Sequence, residues 1–147
     1  MSASPKSTAR KVALQALYQW QMTGDRLVDI QHQMEKNPEL GKFHKSYFEV
    51  IFFGVVEKLE EVDVLVSKYT DRGMEKIDPI EKCVLRIGTY ELMFKPEVPF
   101  RVVINESVNL AKLFGSEKSH AYINSVLDKV SQEVRQLEIS VKRKKTS

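Results

Sequence analysis

The stretch from Asp78 to Phe94, DPIEKCVLRIGTYELMF, decides how this chain folds. It opens with the signals of a helix start. Asp78 is placed to accept from the free N–H groups, Pro79 suits the first helical position, and Glu81 completes a capping-box-like pattern. Behind them come Ile80, Cys83, Val84, Leu85, Ile87, Leu92, Met93 and Phe94, apolar over much more than one stripe. A helix of about 25 Å that is apolar on several sides has to be enclosed by other helices. Gly88 disfavours the helix by about 1 kcal/mol relative to Ala, which predicts a close approach by a neighbour there. Lys82 and Arg86, one turn apart with Glu81 beside them, predict a narrow exposed charged edge.

Working outward, the flanking segments also carry helical spacing. Ser4-Pro5 or Ser7 opens a first helix whose apolar face is Ala9, Val12, Ala13, Ala16, Leu17 and Trp20. Arg10, Gln15 and Gln19 lie off that face, Tyr18 and Met22 extend it sideways, and Gly24-Asp25 ends it. A weaker amphipathic segment covers roughly Leu27 to Lys36 and closes at Asn37-Pro38. The longest periodic run is Phe43, Tyr47, Val50, Ile51, Gly54, Val55, Leu59, Val62, Leu65, Val66 and Tyr69. It predicts one helix of roughly seven turns. Asp71-Arg72-Gly73 breaks it.

After the central helix, Lys95-Pro-Glu-Val-Pro99 reads as a turn, because each proline disfavours helix at the residue before it. A helix then starts at Pro99 and buries Val103, Ser107, Leu110, Ala111 and Phe114. Gly115 suits its C-terminal cap, and Ser116 suits the N-cap of a last helix through Tyr122, Ile123, Val126, Leu127 and Val130. No segment alternates with period two for long enough to form a strand. The expectation is an all-α chain of about seven helices in two packed subdomains, 5–70 and 71–135. Together they make one domain over 1–147 that ends in a flexible basic tail, 136–147.

Composition narrows the class. With 147 residues, 42% hydrophobic and 29% charged, the chain is of ordinary globular type with enough length for a real core. Its single cysteine, Cys83, lies inside the apolar helix and reads as a small buried hydrophobe in a reducing compartment. No run reaches the roughly 18–20 apolar residues needed to span a bilayer, and the N-terminus lacks a secretory apolar core, so the expected location is cytoplasmic. The net charge of +3 hides an asymmetry. Seven of the 23 basic residues lie in 1–11 and in the KRKK run at 142–145, leaving a body of 16 basic against 20 acidic residues. An acidic body with basic ends points to nucleic acid or to solvated tails.

Chemistry of a catalytic kind finds no foothold. His32, His44 and His120 are far apart and in no metal-ligand spacing, and no phosphate-loop, dinucleotide or nucleophile-elbow pattern occurs. No catalytic residue, metal ligand or cofactor is assigned, and the chain reads as a binding module rather than an enzyme. Lys6, Arg10 and Lys11 gather at the start of the first helix, whose dipole adds positive potential. The junction Phe114-Gly-Ser-Glu-Lys118-Ser119, with Tyr122 one turn on, sets rings beside a cation, the combination that holds single-stranded RNA. Phe114 and Tyr122 also sit at core spacing, so burial is the competing role for both.

Three runs carry a specific likeness: ARKVALQALYQWQ from Ala9, the central EKCVLRIGTYEL, and VPFRVVINESVNLAKLFGSEKSHAYINSVLDKV. In this order, from Ala9 to Val130, they resemble the NusB family of bacterial transcription antitermination factors. The resemblance implies an all-helical, non-enzymatic protein that binds boxA RNA together with NusE, a ribosomal protein. It also implies entry into the RNA polymerase complex with other Nus factors, notably during ribosomal RNA synthesis. It assigns RNA contact to Lys6, Arg10, Lys11, Phe114, Lys118, Ser119 and Tyr122. NusE contact falls to Tyr18, Met22, Glu75, Glu81 and Arg86, with Glu81 as an exposed carboxylate for a basic partner. Two departures stand out. Lys6, Ser7 and Thr8 precede Arg10 where many relatives have denser arginines, and Lys118 stands where some have an acid. Alternatives are a self-associating helical interaction protein, monomer or homodimer, and an accessory RNA-binding module of an RNA-modifying system. No membrane contact is expected.

Overall fold

The computed structural model describes the backbone of residues 4–146 and the side chains of residues 4–141. Among these, the chain forms eight α-helices, two short 3-10 turns and no strand. The helices are α1 (Pro5–Thr23), α2 (Leu27–Lys36), α3 (Lys45–Glu57), α4 (Leu59–Tyr69), α5 (Pro79–Phe94), α6 (Phe100–Phe114), α7 (Ser119–Val134) and α8 (Gln136–Thr146). The chain divides into two compact units between Leu59 and Glu60.

In the first unit α1 packs on α3 and α2. The hydroxyl of Ser4 accepts from the Ser7 N–H and caps α1, and Gly24 closes it in the left-handed region, its N–H on the Trp20 carbonyl. Ala9, Val12, Ala13, Ala16 and Leu17 are buried as the spacing predicts, and Leu14 and Arg10 are buried with them. A run of rings, Phe43 edge-on to Phe48 and Phe48 stacked on Phe52, organises α3.

The second unit is built around α5, with α6 and α7 packed on it and on each other. Asp78 caps α5 by accepting from the N–H groups of Ile80 and Glu81. Val84, Leu85, Ile87 and Leu92 are fully enclosed, each contributing about 1.5–3 kcal/mol. The missing side chain of Gly88 has a clear reason: a Cβ there would lie 2.7 Å from Leu127 Cδ1 and 2.7 Å from Ser107 Oγ. Cys83 is buried, and loss of solvation pushes its thiol from an ordinary 9.0 up to about 12. It is a core group with no nucleophilic character at neutral pH.

Four expectations need correction. The predicted seven-turn helix is two helices, because Lys58 leaves helical geometry (φ −102°, ψ 19°). No Gly or Pro marks the break, and the apolar phase runs straight through it. Secondly, the division of units falls after the first residue of α4 instead of following the helix. Asp63 on α4 accepts twice from Arg86 on α5 at 2.9 and 2.8 Å, and Lys68 and Tyr69 both donate to Glu133 on α7. Thirdly, α7 begins at Ser119 with Lys118 at its cap position, and Ser116 instead belongs to a turn. Finally, α8 occupies the segment read as a tail from 136; the side chains of the basic run at 142–145 lie outside the described residues.

The residue that binds the second unit most tightly was not singled out from the sequence. Arg135, buried at the end of α7, donates to the carbonyls of Glu91, Leu92, Lys95 and Val98 and to Glu138. Three of those carbonyls belong to the last turn and cap of α5, where Glu91 also accepts from the Lys95 N–H and Lys95 from the Val98 N–H. A planar guanidinium with five N–H donors suits that cluster, where an ammonium has fewer and differently spaced donors.

Candidate nucleic-acid and partner surfaces

At the start of α1, Lys6 and Arg10 are one turn apart and cover the same ring. The Lys6 Nζ lies 5.0 Å and the Arg10 guanidinium 5.3 Å from the centroid of Tyr47 on α3. Lys6 is exposed, Lys11 half-buried, and Arg10 only 3% exposed. Arg10 is therefore part of the packing between α1 and α3, with its charge held on the ring face. Lys6 and Lys11 are the cations of this group that meet solvent. The first turn of α1 has no acid to offset them.

The turn between α6 and α7 is held from inside. Ser119 is buried, and its Oγ accepts from the Ser116 N–H at 3.1 Å and bonds the Ser116 hydroxyl at 3.1 Å. Gly115 is required by space, since a Cβ would come within 2.8 Å of Ser119 Cβ and of the Ala111 carbonyl. Its φ of −94° is ordinary. The predicted residues separate accordingly. Phe114, 37% exposed, and Lys118, exposed, stand on the outside of the turn, whereas Ser119 builds its interior.

Tyr122 is half-buried, and its hydroxyl shares a hydrogen bond with that of Thr70. The guanidinium of Arg72 lies 4.1 Å from its ring centroid. Arg72, part of a helix break in the sequence, thus joins the aromatic junction from fifty residues away. No local signal could have revealed it, because the pairing depends on α4 lying beside α7. The stacked plane of an arginine presents its N–H edge and outer face to phosphate or base.

The residues assigned to a protein partner also divide. On α1, Tyr18 is 36% and Met22 57% exposed, large apolar groups one turn apart facing solvent. Glu75 is exposed in the 3-10 turn Met74–Lys76. Glu81 departs from the expected exposed carboxylate. It is 8% exposed, with its Oε1 3.9 Å from an Arg72 nitrogen. Nor is the edge at Lys82 and Arg86 open, since both are half-buried and Arg86 is engaged by Asp63. Asp63 of α4 and Arg72, just beyond that helix, lie against the side of α5 that the sequence left to solvent.

Among the described residues no three His, Cys, Asp or Glu side chains are grouped to hold a metal ion, and no helix is long and apolar enough to cross a membrane. The NusB family matches residues 7–132. The transcription antitermination protein NusB of Alcanivorax borkumensis is 41% identical over 140 residues, covering 95% of this chain and 93% of that protein. A T. maritima NusB structure superimposes with a TM-score of 0.78 at 26% identity, covering 90% of this chain and 94% of that one. A chain from the crystal structure of antitermination factors NusB and NusE in complex with dsRNA shares the fold, with a TM-score of 0.77 at 23% identity over 88% of this chain and 97% of that one. With most of its length matched at this identity, the chain belongs to the NusB family.

Proposed function

We propose that this chain works as a transcription antitermination factor, binding boxA RNA jointly with NusE and joining the RNA polymerase complex in the bacterial cytoplasm. The observation that carries this is family membership across residues 7–132, with a 41% identical relative named for that activity. The surfaces are chemically suited to it. Lys6 and Lys11 supply cations on α1, while Lys118 and Arg72 supply them around the α6–α7 turn, and neutralising phosphates is the main source of RNA affinity. Phe114 offers a face for a base, each such stack contributing about 1–3 kcal/mol. Arg10 holds the start of α1 in shape against Tyr47, and Ser119 and Tyr122 hold the α6–α7 turn.

For NusE, Tyr18 and Met22 give an apolar anchor pair and Glu75 an exposed acid for a basic partner. Glu81 and Arg86 contribute through the internal network that fixes this part of α5. The sequence reading of two helical subdomains fits an adaptor that offers separate patches to separate ligands. The test is a gel shift with boxA-like and scrambled RNA, with and without purified NusE. The expected result is a retained complex with boxA-like RNA that NusE strengthens. Equal retention of scrambled RNA under both conditions would overturn the reading.

A further inference from the structure

Tyr47, near the start of α3, is buried, and two cations of α1 lie over its ring. The two differ in what else they meet. Arg10 is buried with the ring, whereas Lys6, one turn earlier, is exposed. One aromatic ring therefore holds a charge inside the packing of α1 on α3 and a second charge at the solvent boundary. Its negative face attracts both and offsets part of their mutual repulsion.

The ring is itself fixed, and His44 fixes it. As N-cap of α3, His44 accepts from the Tyr47 N–H at its Nδ1, 3.1 Å away, and its imidazole lies edge-on to the Tyr47 ring with centroids 6.2 Å apart. Its carbonyl accepts from the Phe48 N–H at 3.0 Å, and its own N–H donates to the Pro5 carbonyl at 3.3 Å. Among the described residues, every other main-chain hydrogen bond outside the helix interiors joins residues three or four apart; this one joins positions 5 and 44. Pro5 is the first residue of α1 and Lys6 follows it directly. The bond thus ties the turn that carries Lys6 to the cap that sets the ring, and the Ser4 hydroxyl caps the same turn. A long lysine stem loses torsional freedom when it meets a phosphate, and a cation already resting on a fixed ring has less of it to lose.

We propose that Tyr47, set by His44, is a positioning residue for RNA: its ring holds the Lys6 ammonium at the start of α1 where a backbone phosphate can take it. In this way α3 enters the RNA surface without touching the RNA. The inference rests on the antitermination reading above. The experiment is a double-substitution cycle read by filter binding of a short boxA-like RNA with NusE present. Tyr47→Leu, which fills the core but has no aromatic face, is expected to bind about twofold to fivefold more weakly, the size of a cation–π contact at an exposed site. Its salt dependence should also be shallower by about 0.7, one phosphate contact. Tyr47→Phe keeps the ring face and is expected to restore the parent's affinity. In a Lys6→Gln background the cation is gone, so adding Tyr47→Leu is expected to weaken binding no further. An unchanged affinity for Tyr47→Leu, equal losses for Leu and Phe, or losses that multiply in the double variant would each overturn the proposal. Should Tyr47→Leu melt below the assay temperature, His44→Ala takes its place, with a loss expected in the parent and none in Lys6→Gln; any other pattern overturns the proposal. Multiplying losses on a parent that binds leave the antitermination reading standing. A parent that ignores boxA-like RNA, with or without NusE, would bring down both.

Discussion

The two ends of α7 each carry a cation, and the two cations do opposite work. Arg135, at the C-terminal cap, is buried with its N–H groups on four main-chain carbonyls and a carboxylate. Lys118, at the N-terminal cap position, is exposed beside Phe114. A positive charge at a helix N-terminus meets the positive end of the dipole and is unfavourable by about 0.3–1 kcal/mol. At one end the charge completes the fold. At the other it adds to a positive potential that only an anionic ligand relieves. Charge alone did not assign the roles; the groups within reach of each cation did.

The comparison is broken most severely from the buried end. Arg135→Met takes the guanidinium from four carbonyls and from Glu138 and is expected to lower stability by about 3 kcal/mol. For a chain of this size that is a fall of roughly 10 °C in Tm, read by calorimetry or a denaturant melt. A change below about 1 kcal/mol would mean that water replaces the guanidinium easily and that this end is not the anchor. Gly88→Val on α5 tests the contact with Leu127, midway along α7. Its Cβ would sit 2.7 Å from two atoms of neighbouring helices, so a loss of about 2 kcal/mol is expected, with the RNA contacts intact. Full retention of stability would show that α5 can move away from α7 at no cost. The smallest effect on stability comes from the exposed end. Lys118→Asp should leave Tm unchanged or slightly raised, since an acid suits the dipole there, while weakening boxA-like RNA about tenfold at low salt. An unchanged filter-binding curve would remove Lys118 from the RNA surface.

Much of the fold was legible from local pattern. The cap at Asp78, the close approach at Gly88, the end of α1 at Gly24 and the bounds of α2 all follow from residue types acting within a turn or two. The candidate surface was legible only in part. Lys118 is exposed as expected and Phe114, given to the inner face of its helix by spacing, is 37% exposed, whereas Arg10 and Glu81 were read as open and are buried. Both errors have one source: a helical wheel shows which side of a helix is polar, and says nothing about whether a neighbour covers that side. Tyr47 covers Arg10, and Arg72 approaches Glu81. Arg72 and Arg135 were missed for the complementary reason, since each acts on residues about forty to fifty positions away.

The sequence by itself determined that this is a helical, cysteine-poor chain with basic ends, and its ordered motifs determined the family. Those properties depend on periodicity, capping and composition, which act over short range or over the chain as a whole. Only the tertiary structure decided where the seven-turn apolar run breaks, which unit receives α4, and which charged residues face solvent. Those outcomes depend on which helices come to lie side by side, and a charge takes its role from the partners that packing brings within about 4 Å of it.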